Sequence, residues 1–224
     1  RTPLTVIKGT IETLEDGGWD DVAGRGPLLA SMQRETDRLI RLVNDLLVLT
    51  RADAGTLHLA LHPLDLDGLA RDRCAHLGGL AARAGVGFDV GGGPPVWVTG
   101  DEDRLAQVLD NLLDNAIRYS PPGSAVTVEI TRQAGTTQAL CVVRDCGPGI
   151  EPNHLPFLFD RFYRTDPSRN RQTGGTGLGL AIVKALVEAQ GGQTGVESAP
   201  GAGTTVWFTL PAAEVEDSPP GEGG

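Results

Sequence analysis

Two leucine-rich seams at the start of the chain restrict what it can fold into. Leu4, Ile7, Ile11 and Leu14 are spaced three, four, three, and Leu39, Leu42, Leu46 and Leu49 repeat that spacing. Apolar side chains at these intervals share one face of an α-helix. Gly17-Gly18 interrupts the first run. Gly26-Pro27 stands where a second helix would open, because proline suits a helix's first turn. The spacing predicts two antiparallel helices, the second reaching about residue 54, in a helical hairpin. Val6, Ile40, Val43 and Leu47 widen the apolar stripe beyond what one hairpin covers. A dimeric four-helix bundle would bury it. Packing of the hairpin on the rest of its own chain is the alternative.

Beyond the hairpin the periodicity changes. Leu57, Leu59 and Leu61 alternate with His58, Ala60 and His62, the pattern of a half-buried strand. Helical patterns are expected over residues 65–84, 101–119 and 178–190. Strands are expected at 86–90, 96–98, 125–131, 139–144, 193–198 and 204–210, with a long irregular stretch at 147–177 rich in Gly, Pro, Arg and Asn. Runs of strands and runs of helices point to the α+β class, a two-layer sandwich with helices on one face of a mostly antiparallel sheet. The expected domains are 1–55, 56–211 and a Pro-, Gly- and acid-rich tail, 212–224, expected to be disordered.

Bulk composition narrows the partners. The net charge of −10 argues against nucleic acid, which wants a basic face. A nucleotide remains compatible, since it needs only local positive charge and backbone N–H groups. Cys74, Cys141 and Cys146 form no CxxC pair and fit a reducing compartment. No apolar run approaches the roughly 20 residues of a membrane span. The chain begins with Arg1 rather than Met, so it is expected to be the cytoplasmic portion of a longer protein, whose upstream part could carry a membrane anchor.

Four features carry chemistry. Gln107, Asn111 and Asn115 recur at i, i+4 and i+8, on one helix face, while Leu105, Val108, Leu109, Leu112, Leu113 and Ile117 supply the core. Magnesium with a polyphosphate would satisfy such amides, because hard Mg²⁺ takes oxygen ligands and the phosphates bring the negative charge. Arg118, about one turn past Asn115, could meet a phosphate, and Tyr119 could stack or hydrogen-bond. A merely solvated polar face explains the helix equally well when it is taken alone. Asp145-Cys146-Gly147-Pro148-Gly149-Ile150 follows a strand. Its glycines let backbone approach a flat ligand, and the Asp could accept a hydrogen bond from an exocyclic amine. Gly174-Gly175-Thr176-Gly177-Leu178-Gly179-Leu180 opens a helix, as a phosphate cradle does, yet matches neither Walker A nor a dinucleotide fingerprint. Gly201-Ala202-Gly203-Thr204 precedes the last strand.

In this order the motifs resemble those of sensor histidine kinases of two-component systems, over about residues 1–211. Asp110-Asn111-Leu112-Leu113-Asp114-Asn115-Ala116 is similar to the family's N box, 145–149 to its G1 box, 157–164 to its F box, 175–180 to its G2 box, and Gly201–Thr204 to the glycine turn that follows. Arg1-Thr2-Pro3-Leu4 resembles the end of the H box. The resemblance implies a hairpin for dimerisation and phosphotransfer, followed by an ATP-binding domain. It implies that Asn115 ligates Mg²⁺ with Asn111 beside it, that Asp145 binds the adenine amine, and that Arg118 and Tyr119 face the phosphates or base. Gly147, Gly149, Ile150 and Thr204 would line the nucleotide pocket, and Gly175, Thr176, Gly177, Leu178, Gly179 and Leu180 would shape the lid over the phosphates. The implied reaction carries the γ-phosphoryl of ATP to a histidine and then to an aspartate on a response regulator receiver domain. Thr2 would orient a water when the kinase acts as phosphatase on that regulator. The acceptor histidine would lie just before Arg1, so autophosphorylation at the usual site is not expected of these residues. His58, His62, His76 and His154 are expected in surface or structural roles.

Two alternatives stay open. Gyrase-type and chaperone-type ATPases share the nucleotide fold but carry a water-activating Glu where this chain has Asn111. A degenerate kinase that binds nucleotide and acts as a dimeric scaffold is the other.

Overall fold

A computed structural model describes residues 2–19, 21–165 and 176–213. The chain divides into two compact units, Arg1–Arg51 and Ala52–Gly224. The expected disordered tail lies almost wholly outside the described residues.

The first unit is helical. Helix α1 spans Thr2–Thr13 and runs into a π-type turn, Leu14–Gly18, where Gly17 adopts φ +100° and breaks the helical path. Helix α2 spans Val22–Asp53. It starts before Pro27, contrary to the sequence expectation, because the Asp21 carboxylate accepts the Ala23 N–H at 3.0 Å and opens the helix there. Pro27 is thereby inside the helix and forgoes one backbone bond. Leu14, Val48 and Leu49 are buried, whereas Leu4, Ile40, Val43 and Leu47 are exposed.

The second unit is α+β. Strand β1 is His62–Asp65, helix α3 Leu66–Ala84, strand β2 Gly87–Val90 and strand β3 Trp97–Gly100. Helix α4 is Glu102–Tyr119, followed by strands β4 Ala125–Arg132 and β5 Gln138–Arg144. Helix α5 is Gly179–Glu188, and strands β6 Thr194–Ser198 and β7 Thr204–Pro211 come last. Of the strand expected over residues 57–62, only His62 is in a strand, as the first residue of β1. Ala60 N–H bonds singly to Asp101 Oδ2 at 2.8 Å instead of joining a ladder, and pairing begins at His62 against Gly100.

The main sheet runs β2-β4-β5-β7-β6, with β2 parallel to β4 and all other pairs antiparallel. A second sheet pairs β1 with β3. It is tied to the first where Ala212 bridges Val98 and Ala213 N–H donates to Trp97 O. One face of the main sheet is apolar by alternation: Val126, Val128 and Ile130 on β4, Ala139, Cys141 and Val143 on β5, Phe208 and Leu210 on β7. Helices α3, α4 and α5 cover it, with α4 touching both others. Helix α4 is capped by Asp101, which accepts Arg104 N–H at 3.1 Å, and it buries Leu105, Leu109, Leu112 and Leu113 completely or nearly so. Each such leucine stabilises by about 1.5–3 kcal/mol, which fixes the rotation of α4 and therefore which residues it turns away from the sheet. All three cysteines are free, and burial pushes the Cys74 thiol up to about 11.

Candidate functional site

With its leucines facing the sheet, α4 presents Gln107, Asn111, Asn115 and Arg118 on a half-buried face. Asn111 Nδ2 donates to Gln107 O at 3.0 Å, which orients its oxygen. A Cβ placed on Gly179 would stand 3.1 Å from that oxygen and 3.8 Å from Asn115 Nδ2. The N-terminus of α5 therefore abuts the amide face of α4. That N-terminus has no side-chain cap on its own first turn: Leu178, fully buried, occupies the capping position. Thr176 Oγ1 instead accepts the Leu178 N–H at 3.3 Å. Backbone N–H groups in an uncapped first turn seek an acceptor, and an anion is the strongest available.

Arg118 Nη2 donates to Asp114 Oδ2 at 2.6 Å, so its charge is held on its own helix. Asp110 is gripped by both Arg73 Nε and Nη2 at 2.7 Å, a bidentate bond from α3 that sequence spacing gave no sign of. Tyr119 is exposed at the end of α4, and its carbonyl lies where a Cβ on Gly147 would come within 2.8 Å.

The turn after β5 closes around Asp145. Its Oδ1 accepts Gly147 N–H at 2.8 Å and Thr204 N–H at 3.1 Å, while Asp145 N–H donates to Thr204 O at 2.9 Å. Burial raises the Asp145 pKa, and the two backbone N–H groups partly offset the rise. No hydrogen bond to Oδ2 is found among the described residues. Two glycines permit this closure. A Cβ on Gly203 would sit 2.1 Å from Asp145 O, and one on Gly149 would sit 1.9 Å from Ala199 O, both at positive φ. Ile150 N–H donates to Ser198 Oγ at 2.9 Å.

Within the expected lid, Phe162 N–H donates to Gly177 O at 2.8 Å, with Phe162 itself at φ +62°. His154 Nδ1 and the Tyr163 hydroxyl are 2.7 Å apart. Gly175 lies outside the described residues, as does residue 174. Leu180 follows Gly179 in the first turn of α5. Thr2 opens α1, and its side chain lies outside what is described. His58 and His62 turn their Nδ1 atoms to the nearby carbonyls of Thr56 and Ala60, and His76 is exposed on α3.

The geometry fits a magnesium nucleotide. The Asn115 amide makes no hydrogen bond among the described residues, half-buried as it is, and so is free to ligate. Those residues contain no cluster of three His, Cys, Asp or Glu side chains that could hold a metal unaided. A hard cation here would take its anionic oxygens from phosphates and a neutral oxygen from an amide.

Residues 100–214 match the family model described as histidine kinase-, DNA gyrase B-, and HSP90-like ATPase, and residues 1–55 match that of the His Kinase A (phospho-acceptor) domain. The chain belongs to the sensor histidine kinases. The kinase core is 39% identical to sensor histidine kinase WalK of Bacillus subtilis, across 97% of this chain and 36% of the relative. Against sensor protein kinase WalK of Staphylococcus epidermidis it is 36% identical, across 97% of this chain and 35% of the relative. It thus spans about a third of the length of these curated relatives. Among solved structures, full-length ShkA in complex with AMPPNP superposes with a TM-score of 0.73 at 32% identity, covering 86% of this chain and 39% of that one. Histidine kinase AdeS of Acinetobacter baumannii gives 0.76 at 25% identity, covering 96% and 97%. The kinase core carries a nucleotide-binding domain. No helix among its described residues is long and apolar enough to cross a membrane.

Proposed function

We propose that the chain binds ATP with Mg²⁺ between α4 and α5 and transfers the γ-phosphoryl to a histidine on a helical hairpin. The carrying observation is the abutment of an uncapped α5 N-terminus on the Asn111–Asn115 face of α4. The first-turn N–H groups from Gly179 and Leu180 would hold the phosphates, with Gly175, Thr176, Gly177 and Leu178 forming the turn above them. Asn115 would ligate the ion and Asn111 flank it. Bound there, Mg²⁺ neutralises developing phosphoryl charge and orients the γ-phosphate. Asp145 would accept from the adenine amine through Oδ2. Gly147, Gly149, Ile150, Tyr119 and Thr204 would surround the base, and Arg118 would lie toward the phosphates.

In the reaction a histidine ring nitrogen attacks the γ-phosphorus as the bond to the bridging oxygen of ADP breaks. Positioning and charge neutralisation carry most of the rate. Asn111 has no carboxylate with which to take a proton from water, so the site favours a protein acceptor over hydrolysis. The phosphoryl then passes to an aspartate of a response regulator receiver domain, and Thr2 would orient water when the regulator is dephosphorylated. Residues 1–55 would serve dimerisation and phosphotransfer, and 56–211 nucleotide binding. Exposed Leu4, Ile40, Val43 and Leu47 support a homodimer through the hairpin.

The test supplies a separate hairpin bearing the acceptor histidine, together with γ-labelled ATP. Label on that histidine supports the reading. Nucleotide binding with no label transferred supports a scaffold instead.

A further inference from the structure

Ser198 ends β6, opposite Thr204 in register, and its hydroxyl joins two of the site's turns, the one after β5 and the one before β7. Its Oγ accepts Ile150 N–H at 2.9 Å, donates to Gly203 O at 2.6 Å and lies 3.2 Å from Thr204 Oγ1. A hydroxyl has one proton and two lone pairs. The proton must go to Gly203 O, because a carbonyl can only accept. One lone pair takes Ile150 N–H. The contact with Thr204 therefore has one polarity left: Thr204 Oγ1 donates and Ser198 Oγ accepts. Ser198 is then fully satisfied, and the Thr204 proton is committed.

We infer that Ser198 is a positioning residue that sets base specificity by fixing the direction of the Thr204 hydroxyl. With its proton turned toward Ser198, Thr204 Oγ1 offers lone pairs alone. The neighbouring Asp145 carboxylate, when ionised, also only accepts. The Thr204 backbone N–H bonds Asp145 Oδ1 at 3.1 Å, so the two residues are neighbours and together they would present a wall of acceptors. That wall suits a purine with an amine at C6. It rejects a purine with a carbonyl there, since two facing acceptors leave both groups unpaired and desolvated. This rests on the reading of Asp145 and Thr204 as the base-binding end of the nucleotide pocket.

The experiment compares ATP with inosine triphosphate, which differs at that edge by a carbonyl in place of the amine. Affinities for both are measured on the 224-residue chain and on Ser198→Ala and Ser198→Thr. Wild type is expected to prefer ATP. Ser198→Ala frees the Thr204 hydroxyl to rotate and donate, so the ATP-to-inosine preference should fall by about tenfold, the worth of one hydrogen bond. Ser198→Thr keeps a hydroxyl and should restore the preference. A ratio measured within one variant is insensitive to a general loss of stability. Thr204→Val gives a second route and should lower the same ratio even if Ser198→Ala folds poorly. A wild type indifferent to the base would overturn the base-reading assignment itself. A wild type that discriminates, with Ser198→Ala or Thr204→Val discriminating equally well, would overturn the inference about Ser198 alone.

Discussion

Asp145 and Thr204 hold each other by reciprocal bonds: Asp145 N–H donates to Thr204 O at 2.9 Å, and Thr204 N–H donates to Asp145 Oδ1 at 3.1 Å. The two lie 59 residues apart in the chain. Their pairing brings the turn after β5 against the turn before β7, and Asp145 Oδ2 makes no hydrogen bond among the described residues. The end of the site proposed to read the base is thus a product of sheet register rather than of local sequence.

The charge on Asp145 carries a cost in the absence of ligand. Burial raises its pKa above the ordinary 3.8, so the folded state holds the proton more tightly than the unfolded chain. The stability that this proton contributes is present below the unfolded pKa and is lost as pH rises through the folded one. Above the folded pKa the desolvation of the buried carboxylate is only partly offset by the Gly147 and Thr204 N–H groups. Asp145→Asn should therefore melt higher than wild type at neutral pH without nucleotide, and bind ATP far more weakly. The gain should shrink as the pH falls toward the carboxylate range. Thermal melts at several pH values check it; a variant that melts lower at pH 7 would be the opposite result.

Gly203 and Gly201 separate steric closure from backbone strain. Both have positive φ, near +76° and +78°, but a Cβ on Gly203 meets Asp145 O whereas nothing lies within 4 Å of one on Gly201. Gly201→Ala should cost roughly 1–2 kcal/mol from the left-handed backbone alone. Gly203→Ala should cost clearly more and weaken ATP binding, because Asp145 must move. Urea unfolding and nucleotide titration of both variants give the comparison. Equal costs would remove the argument from close approach.

The exposed stripe of α2 predicts self-association. Val43→Asp, alone or with Ile40→Asp, places a carboxylate where an apolar partner face is expected. Unpaired charge in such an interface is expensive, and the dimer dissociation constant should rise at least about tenfold. Sedimentation equilibrium measures this, with helical content as the control. An unchanged mass at equal concentration would mean that the stripe is covered in some other way.

Much of this was legible in the sequence where one local rule decides. The helix over 101–119, the leucine spacing of α4 and the amide face opposite it are read from one local pattern, and the structure keeps all three. The glycine turns were visible as turns. The expected strand over 57–62 is realised only at His62, because alternation alone does not supply a partner: Ala60 makes a single bond to Asp101 and the ladder starts at His62. Pro27 misled because the cap at Asp21 outweighed it. Ser198, Arg73 and the Phe162–Gly177 bond were invisible, since each acts on a partner distant in sequence and none belongs to a periodic pattern.

In the proposed function the amide face of α4 receives a magnesium-bound nucleotide, with Asn115 as the ligand of the ion. Calorimetric titration of ATP with Mg²⁺ and with chelator, on wild type and Asn115→Ala, tests it directly. Wild type should bind more tightly with Mg²⁺, and Asn115→Ala should lose that difference while its melting temperature stays close to wild type. An Asn115→Ala variant that keeps the full magnesium dependence would contradict the account.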